Sequence, residues 1–264
     1  MRRWPLGITV LALAGCATTS RPRAGSSTPA PLTRQQVVGR VLRSSVRVHV
    51  SIGPTLARTA SGVVVGQSAP GAPVESLVVT NAHVVEAQGL SGAPRFEVLV
   101  DGPRGAVAHP ATLVAQGTVP GVDLALLRVS GVRLTPAVLA DNTEVALGSD
   151  VLVVGAPYGH GLSLSRGMLS QIQQLQGEPG LLKTDAPIGY GASGGGIFDL
   201  HTGHLLGVIE GYRTAQVEIP GDDGGAGWRF DVPMPGETFG SSVAKVRRFI
   251  AAHPALVTGQ VARR

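Results

Sequence analysis

The stretch Val46 to Ile52 constrains this chain more than any other, because Val46, Val48, Val50 and Ile52 alternate there with Arg47, His49 and Ser51. Side chains two apart on an extended backbone share a face, so the alternation predicts a half-buried strand with His49 turned outward. Similar short apolar runs follow at 62–65, 77–80, 96–100, 111–115, 124–129, 151–154, 167–172, 181–184, 196–200, 205–210 and 229–232. Glycine, proline or polar turns separate them, drawing on 37 Gly and 19 Pro, and Val leads the apolar set. That composition favours many short strands over helices. The fold class is therefore all-β, with residues 131–150 as a crossing between two halves of about six strands each. At 43% hydrophobic residues, 264 residues suffice for a packed core.

Helical spacing occurs only near the ends of this region. Thr33 and Gln36 form a capping-box pair ahead of Val37, Val41 and Leu42, which share one side of a short helix ending near Ser44. Val243, Val246 and Ile250 recur at helical spacing, with Lys245, Arg247 and Arg248 toward the favourable C-terminal end and Pro254 as a stop. Residues 254–264 read as a tail, with nothing that could form another domain.

The first residues have a different character. Met1-Arg2-Arg3 is a basic start, Leu6 to Ala14 an apolar stretch too short to span a bilayer, and Leu13-Ala14-Gly15 small residues before the single cysteine, Cys16. This is the shape of a secretory signal at 1–15. Leu13-Ala14-Gly15-Cys16 also resembles the bacterial lipobox, which implies lipidation at Cys16 and attachment to the cell envelope. Ala17 after the cysteine points to the outer membrane, facing the periplasm, in a two-membrane bacterium. The alternative is an ordinary signal that happens to contain Cys16. Residues 16–33, rich in Ser, Thr and Pro, read as a flexible tether. One cysteine excludes intramolecular disulfides. The formal charge of +5 comes from scattered arginines without interleaved aromatics, which argues against nucleic-acid binding.

Three motifs carry chemistry, and each has a bland reading. His83 in "TNAHVV" is either a core histidine with satisfied nitrogens or a placed base. Asp123 in "GVDLALLRV" is either a turn or cap residue or a carboxylate held by partners beside a buried run. Ser193 in "GYGASGGGIFD" lies in either a floppy turn or a loop whose glycines let successive N–H groups face one cavity, as an oxyanion requires.

Taken together, the order His, Asp, Ser beside strand-like runs resembles trypsin-like serine proteases. Within that group the chain is most similar to the bacterial HtrA (Deg) proteases. "TNAHVV" and "DLALLRV" match their histidine and aspartate segments, "TDAPIGYGASGGGIF" their serine segment and "GAPYG" their "GNPFG". Residues 58–65 look like their early strand ending in a Ser-Gly turn, and "GWRFDVP" like their "GFAIP" strand. Tyr190, Ala192 and Gly196 depart from the usual residues around the serine, which predicts a looser or differently set loop.

The resemblance covers about residues 34–252 and lacks the C-terminal PDZ domain common in that group. It implies a protease domain at 34–253 made of two six-stranded Greek-key β-barrels, at about 46–130 and 149–235. It implies His83 as general base and acid, Asp123 as its orienter, Ser193 as nucleophile, and the Gly191 and Ser193 amides as the oxyanion hole. Pro187 and Ile188 would floor the specificity pocket, favouring small or aliphatic substrate residues unless Asp185 turned inward. The strand segment Gly207, Val208, Ile209, Glu210 and Gly211 would pair with an extended substrate. Residues 220–227 would form a mobile surface loop. Polypeptides would be the substrates, without metal or cofactor, and a homotrimer is the assembly such proteins often adopt. The competing function is a trypsin-fold lipoprotein that binds exposed peptide segments without cutting them.

Overall fold

Alternating burial is what turns the predicted runs into two rolled sheets. The computed structural model describes residues 30–86, 92–219 and 227–253. The expected signal, Cys16, the tether as far as residue 29, residues 220–226 of the expected loop and the tail from 254 lie outside the described residues.

Helix α1 (Arg34–Arg43) starts on the predicted capping box: the Gln36 N–H donates to Thr33 Oγ1 at 3.3 Å and the Thr33 N–H to Gln36 Oε1 at 2.8 Å. Val37 and Val41 are its buried face, and Arg40 donates to the Thr202 carbonyl at 2.8 Å.

The first barrel consists of β1 (Ser45–Ile52), β2 (Thr55–Gln67), β3 (Glu75–Thr80), β4 (Pro94–Gly102), β5 (Gly105–Gln116) and β6 (Ala125–Ser130). They close in the order β1-β2-β3-β6-β5-β4. The second consists of β7 (Asp150–Gly155), β8 (Ser163–Leu175), β9 (Glu178–Thr184), β10 (Gly196–Asp199), β11 (Leu205–Ile219) and β12 (Trp228–Ser242). These close as β10-β11-β12-β9-β8-β7. All pairings in both barrels are antiparallel. Closure leaves few free strand edges. Val48, Val50, Val64, Val78 and Leu127 fill the first barrel, and Val153, Leu169, Leu182, Ile197 and Val208 belong to the core around the second. Helix α3 (Val243–Ala251) begins on Ser242, whose hydroxyl accepts the Lys245 N–H, and buries Val243, Val246, Phe249 and Ile250.

Several expectations need correction. Ser61 and Gly62 are not a turn: they lie inside β2, opposite Arg47 and Val46. The barrel wall of β12 is Thr238–Ser241, paired with both β9 and β11, beyond the expected limit at 235. Residues 229–232 belong to the outer part of β12, where it pairs only with β11. His49 does sit on the outer side of β1, but it is half-buried and its Nε2 is covered without a hydrogen-bond partner.

Candidate active site

His83 lies on a single helical turn, α2 (Ala82–Val85), directly after β3. Ala82, Val84 and Val85 are buried and anchor the turn, whereas the His83 side chain keeps 38% of its surface exposed. Arg58 of β2 donates to the carbonyls of His83, Val84 and Glu86 at 3.1, 3.2 and 2.6 Å, occupying orphan acceptors at the end of the turn. Buried Asn81 donates to the Asp123 carbonyl at 2.8 Å and so ties the histidine turn to the segment before β6.

The Asp123 carboxylate, nearly buried at 7% exposure, grips His83 twice: Oδ1 accepts its backbone N–H at 2.9 Å and Oδ2 lies 2.6 Å from Nδ1. An ionised carboxylate can only accept, so this network assigns the ring proton to Nδ1 and leaves the Nε2 lone pair available.

Ser193 sits just before β10, in a loop whose carbonyls are bonded in turn. Gly189 accepts from Ala192 at 3.1 Å, Tyr190 from Tyr158 at 2.7 Å, Ala192 from Gly195 at 2.9 Å and Ser193 from Ser61 at 2.8 Å. The Ser61 hydroxyl donates to the Gly191 carbonyl at 2.9 Å, and the hydroxyl oxygen in turn accepts the Ala156 N–H at 2.8 Å. Ser61 is fully buried, so a barrel-one residue holds the barrel-two loop in place. No described residue accepts the Gly191 or Ser193 N–H. In a trans peptide each N–H points opposite the preceding carbonyl, so the Gly191 amide faces away from Tyr158.

Gly191 has φ +96°, and a Cβ there would lie 2.8 Å from the Ala156 carbonyl oxygen. The position needs glycine for backbone conformation and for space. Tyr158, in "GAPYG", also adopts a left-handed φ of 56°. The departures at Tyr190 and Ala192 therefore leave this loop with its carbonyls bonded rather than loose.

His83, Ser193 and Gly191 line one pocket of about 120 Å³, together with Ile188, Tyr190 and Tyr212. The Ser193 hydroxyl donates to the Glu210 carbonyl at 3.4 Å, and among the described residues no hydrogen bond joins it to His83. A contact that long is weak and easily exchanged.

Of the residues expected to give specificity, Ile188 lines the pocket and Pro187 does not, being exposed outside it. The Asp185 carboxylate accepts the Met168 N–H at 2.7 Å, so it is not in the pocket.

The expected substrate edge also shifts. Gly207 and Val208 are paired on both sides, with β10 and with β12. Ile209 exchanges hydrogen bonds with Gly194 and Gly195. These three have no edge to offer. Glu210 sits in a bulge, and the β11 edge opens from there through Gly211 and Tyr212. Sequence reasoning missed Ser61, as well as Thr59 and Tyr212, both of which line the pocket. No local signal marks them, since their roles arise only where the two barrels and the bulged strand meet.

The sequence family described as Trypsin-like peptidase domain matches residues 60–208. The chain is 33% identical over 165 residues to the magnetosome formation protease MamE of Magnetospirillum gryphiswaldense, covering 60% of this chain and 20% of MamE. It is 28% identical over 232 residues to the serine protease PepD of Mycobacterium tuberculosis, covering 83% of this chain and 47% of PepD. It thus spans less than half the length of either. Its fold is similar to that of a serine endoprotease from Yersinia pestis, with a TM-score of 0.62 at 22% identity, over 84% of this chain and 67% of that one.

Proposed function

Because this chain belongs to the trypsin-like peptidase family, we propose that it is an HtrA-type serine endopeptidase that cuts extended segments of unfolded protein through an acyl-enzyme. The observation that carries this reading is that the Asp123-held His83 shares one pocket with Ser193 and with two amides that lack acceptors.

In this mechanism Ser193 gives up its weak contact with Glu210 and turns its hydroxyl to His83 Nε2. The imidazole takes the proton as Oγ attacks the scissile carbonyl, and Asp123 stabilises the resulting imidazolium. The negative oxygen of the tetrahedral adduct accepts the Gly191 and Ser193 N–H groups, each worth roughly 100- to 1,000-fold in rate. His83 then protonates the leaving amine, and water, activated by the same imidazole, hydrolyses the ester and restores Ser193.

The pocket residues include no carboxylate. A lysine or arginine side chain there would lose its hydration without gaining a counter-ion, so small or aliphatic residues are preferred. The periplasmic endoprotease DegQ of Escherichia coli, 30% identical, has a name that places it in the envelope. Together with the Leu13-Ala14-Gly15-Cys16 motif, that supports a lipid-anchored envelope location here.

A second reading, a peptide-binding protein that does not cut, is favoured by the missing hydrogen bond between His83 and Ser193. A fluorophosphonate probe separates the two. Labelling of wild type but not of Ser193→Ala supports the enzyme, and no labelling of folded wild type supports the binder.

A further inference from the structure

Beyond the barrel wall, β11 and β12 run on as a two-stranded arm, paired from Thr214 opposite Pro233 to Ile219 opposite Trp228. Pairing with β9 stops at Thr238, so no third strand supports this arm. Its root is braced by charge: Lys183 of β9 lies 2.6 Å from Glu237, and Arg213 lies 3.8 Å from the same carboxylate.

The two faces of the arm differ. Cross-strand pairs put Ala215, Val217, Ile219, Trp228, Phe230 and Val232 on one face, with Trp228 78% and Ile219 50% exposed. Gln216, Glu218, Arg229 and Asp231 occupy the other, where Arg229 pairs with Glu218 at 2.5 Å. A two-stranded ribbon with an uncovered apolar face is marginal in water, whereas a third strand on that sheet stabilises it.

The free edge of β11 supplies the place for such a strand. Among the described residues no strand pairs with that edge beyond Ile209, so the backbone from Glu210 to Ile219 is open apart from the long contact of the Ser193 hydroxyl with the Glu210 carbonyl. The open edge starts at the Ser193 pocket and runs away from it for about 30 Å. On the same edge β10 lies antiparallel to β11 and begins at Gly196, just past Ser193. A guest strand taking up the line of β10 would therefore end at Ser193 with its C-terminal side and extend outward along the arm with its N-terminal side.

We propose that this edge is a track for a long stretch of unfolded polypeptide on the N-terminal side of the cleaved bond, and that the apolar face selects segments with apolar residues at every second position. The proposal rests on the protease reading of the Ser193 cleft and names its substrate class. Other occupants fit less well. A six-residue face covers roughly 200 Å² at normal strand spacings, against about 800 Å² per partner in a stable dimer. The described charged residues of the arm, Glu218, Arg229 and Asp231, leave one net negative charge, so it holds no excess of basic residues to draw it to an anionic lipid surface.

The test measures binding by Ser193→Ala protein, which does not depend on turnover. Two fluorescein-labelled peptides share the same four residues before the bond, and one continues N-terminally with six more in which Val and Thr alternate. Fluorescence anisotropy should give the longer peptide at least tenfold tighter binding. The gain should vanish when the same six residues are reordered as Val-Val-Val-Thr-Thr-Thr. Trp228→Ser and Val217→Asp, added singly, should bring the longer peptide to within twofold of the shorter, with thermal unfolding recorded to verify that each variant is folded. Equal binding of the two peptides overturns the proposal, as does a length effect that survives both arm variants. Concentration-dependent dimerisation lost on Trp228→Ser would assign the face to a second copy and overturn it, and so would Trp228-dependent binding to phosphatidylglycerol vesicles. Because fluorophosphonate labelling of wild type is scored separately, failure of the track and failure of the protease reading are told apart.

Discussion

Replacing Ser61 by alanine should disable the serine loop without touching any reacting atom. Its buried hydroxyl donates to the Gly191 carbonyl at 2.9 Å and accepts the Ala156 N–H at 2.8 Å. Alanine leaves both groups buried without partners, and the space of one lost oxygen is too small for a replacement water. Each unmet group costs about 1–3 kcal/mol, so the pair costs about 2–6 kcal/mol before relaxation. At about 2–4 °C per kcal/mol for a domain of this size, the melting temperature should fall by about 4–24 °C. Part of that loss can be relieved if the Gly191 peptide turns to find another partner, which would misdirect the adjacent amide. A misplaced oxyanion donor costs roughly 100-fold or more in rate. The measurement is steady-state hydrolysis of a peptide substrate, at least 15 °C below the variant's melting temperature, beside a thermal melt. We expect kcat to fall about 100-fold with KM within threefold, because the substrate edge at Glu210 to Tyr212 is not involved. Ser61→Cys, which keeps a weak donor, should lie between the two. A variant that melts lower yet keeps wild-type kcat would make Ser61 merely structural. One unchanged in both would refute the argument altogether.

Gly191→Ala should abolish fluorophosphonate labelling, since the new Cβ would meet the Ala156 carbonyl oxygen at 2.8 Å in a left-handed conformation; labelling at the wild-type rate would contradict this. Arg58→Ala removes three hydrogen bonds to the carbonyls of the histidine turn and should lower kcat/KM at least tenfold, with Arg58→Lys partly restoring it, as peptide hydrolysis would reveal. Burial, followed by Arg47 and opposed by Glu97, holds the His49 imidazole below its ordinary value of 6.5. Below that pH the unfolded chain takes up a proton that the folded chain resists, so stability should fall as pH drops from 6.5 and stay level above it. Urea midpoints of wild type and His49→Gln should then diverge between pH 7 and pH 5, and parallel profiles would refute the assignment. Cys16→Ala should move the protein from the membrane to the soluble fraction, and unchanged fractionation would reject the lipid anchor.

The strands were legible because a barrel wall has an inside and an outside, and that forces the alternation seen in Val46 to Ile52. The capping box at Thr33 and Gln36 was legible because its partners are three residues apart. His83 and Asp123 were found as a pair through motif likeness, and their contact spans 40 residues of sequence. What stayed hidden was set by neighbours rather than by local pattern. The resemblance makes Gly207 to Ile209 an edge, yet β10 and the Gly194–Gly195 backbone already occupy it. The outer half of β11 was missed because Gly211, Tyr212 and Arg213 interrupt the apolar run before the alternation resumes at Ala215. Pro187 follows a buried alanine but faces solvent, since the chain turns there toward the pocket wall at Ile188.

The hold of Ser61 on the loop at Gly191 and Ser193 has a consequence for how the protein is made. Barrel one leaves the ribosome first, carrying the imidazole and its carboxylate but no nucleophile. The segment bearing Ser193 follows, and in the folded protein its shape depends on a hydroxyl that belongs to the earlier half. On the protease reading proposed above, a nascent chain would then be harmless to its neighbours until both halves have docked, and cutting power would arrive only with completed assembly.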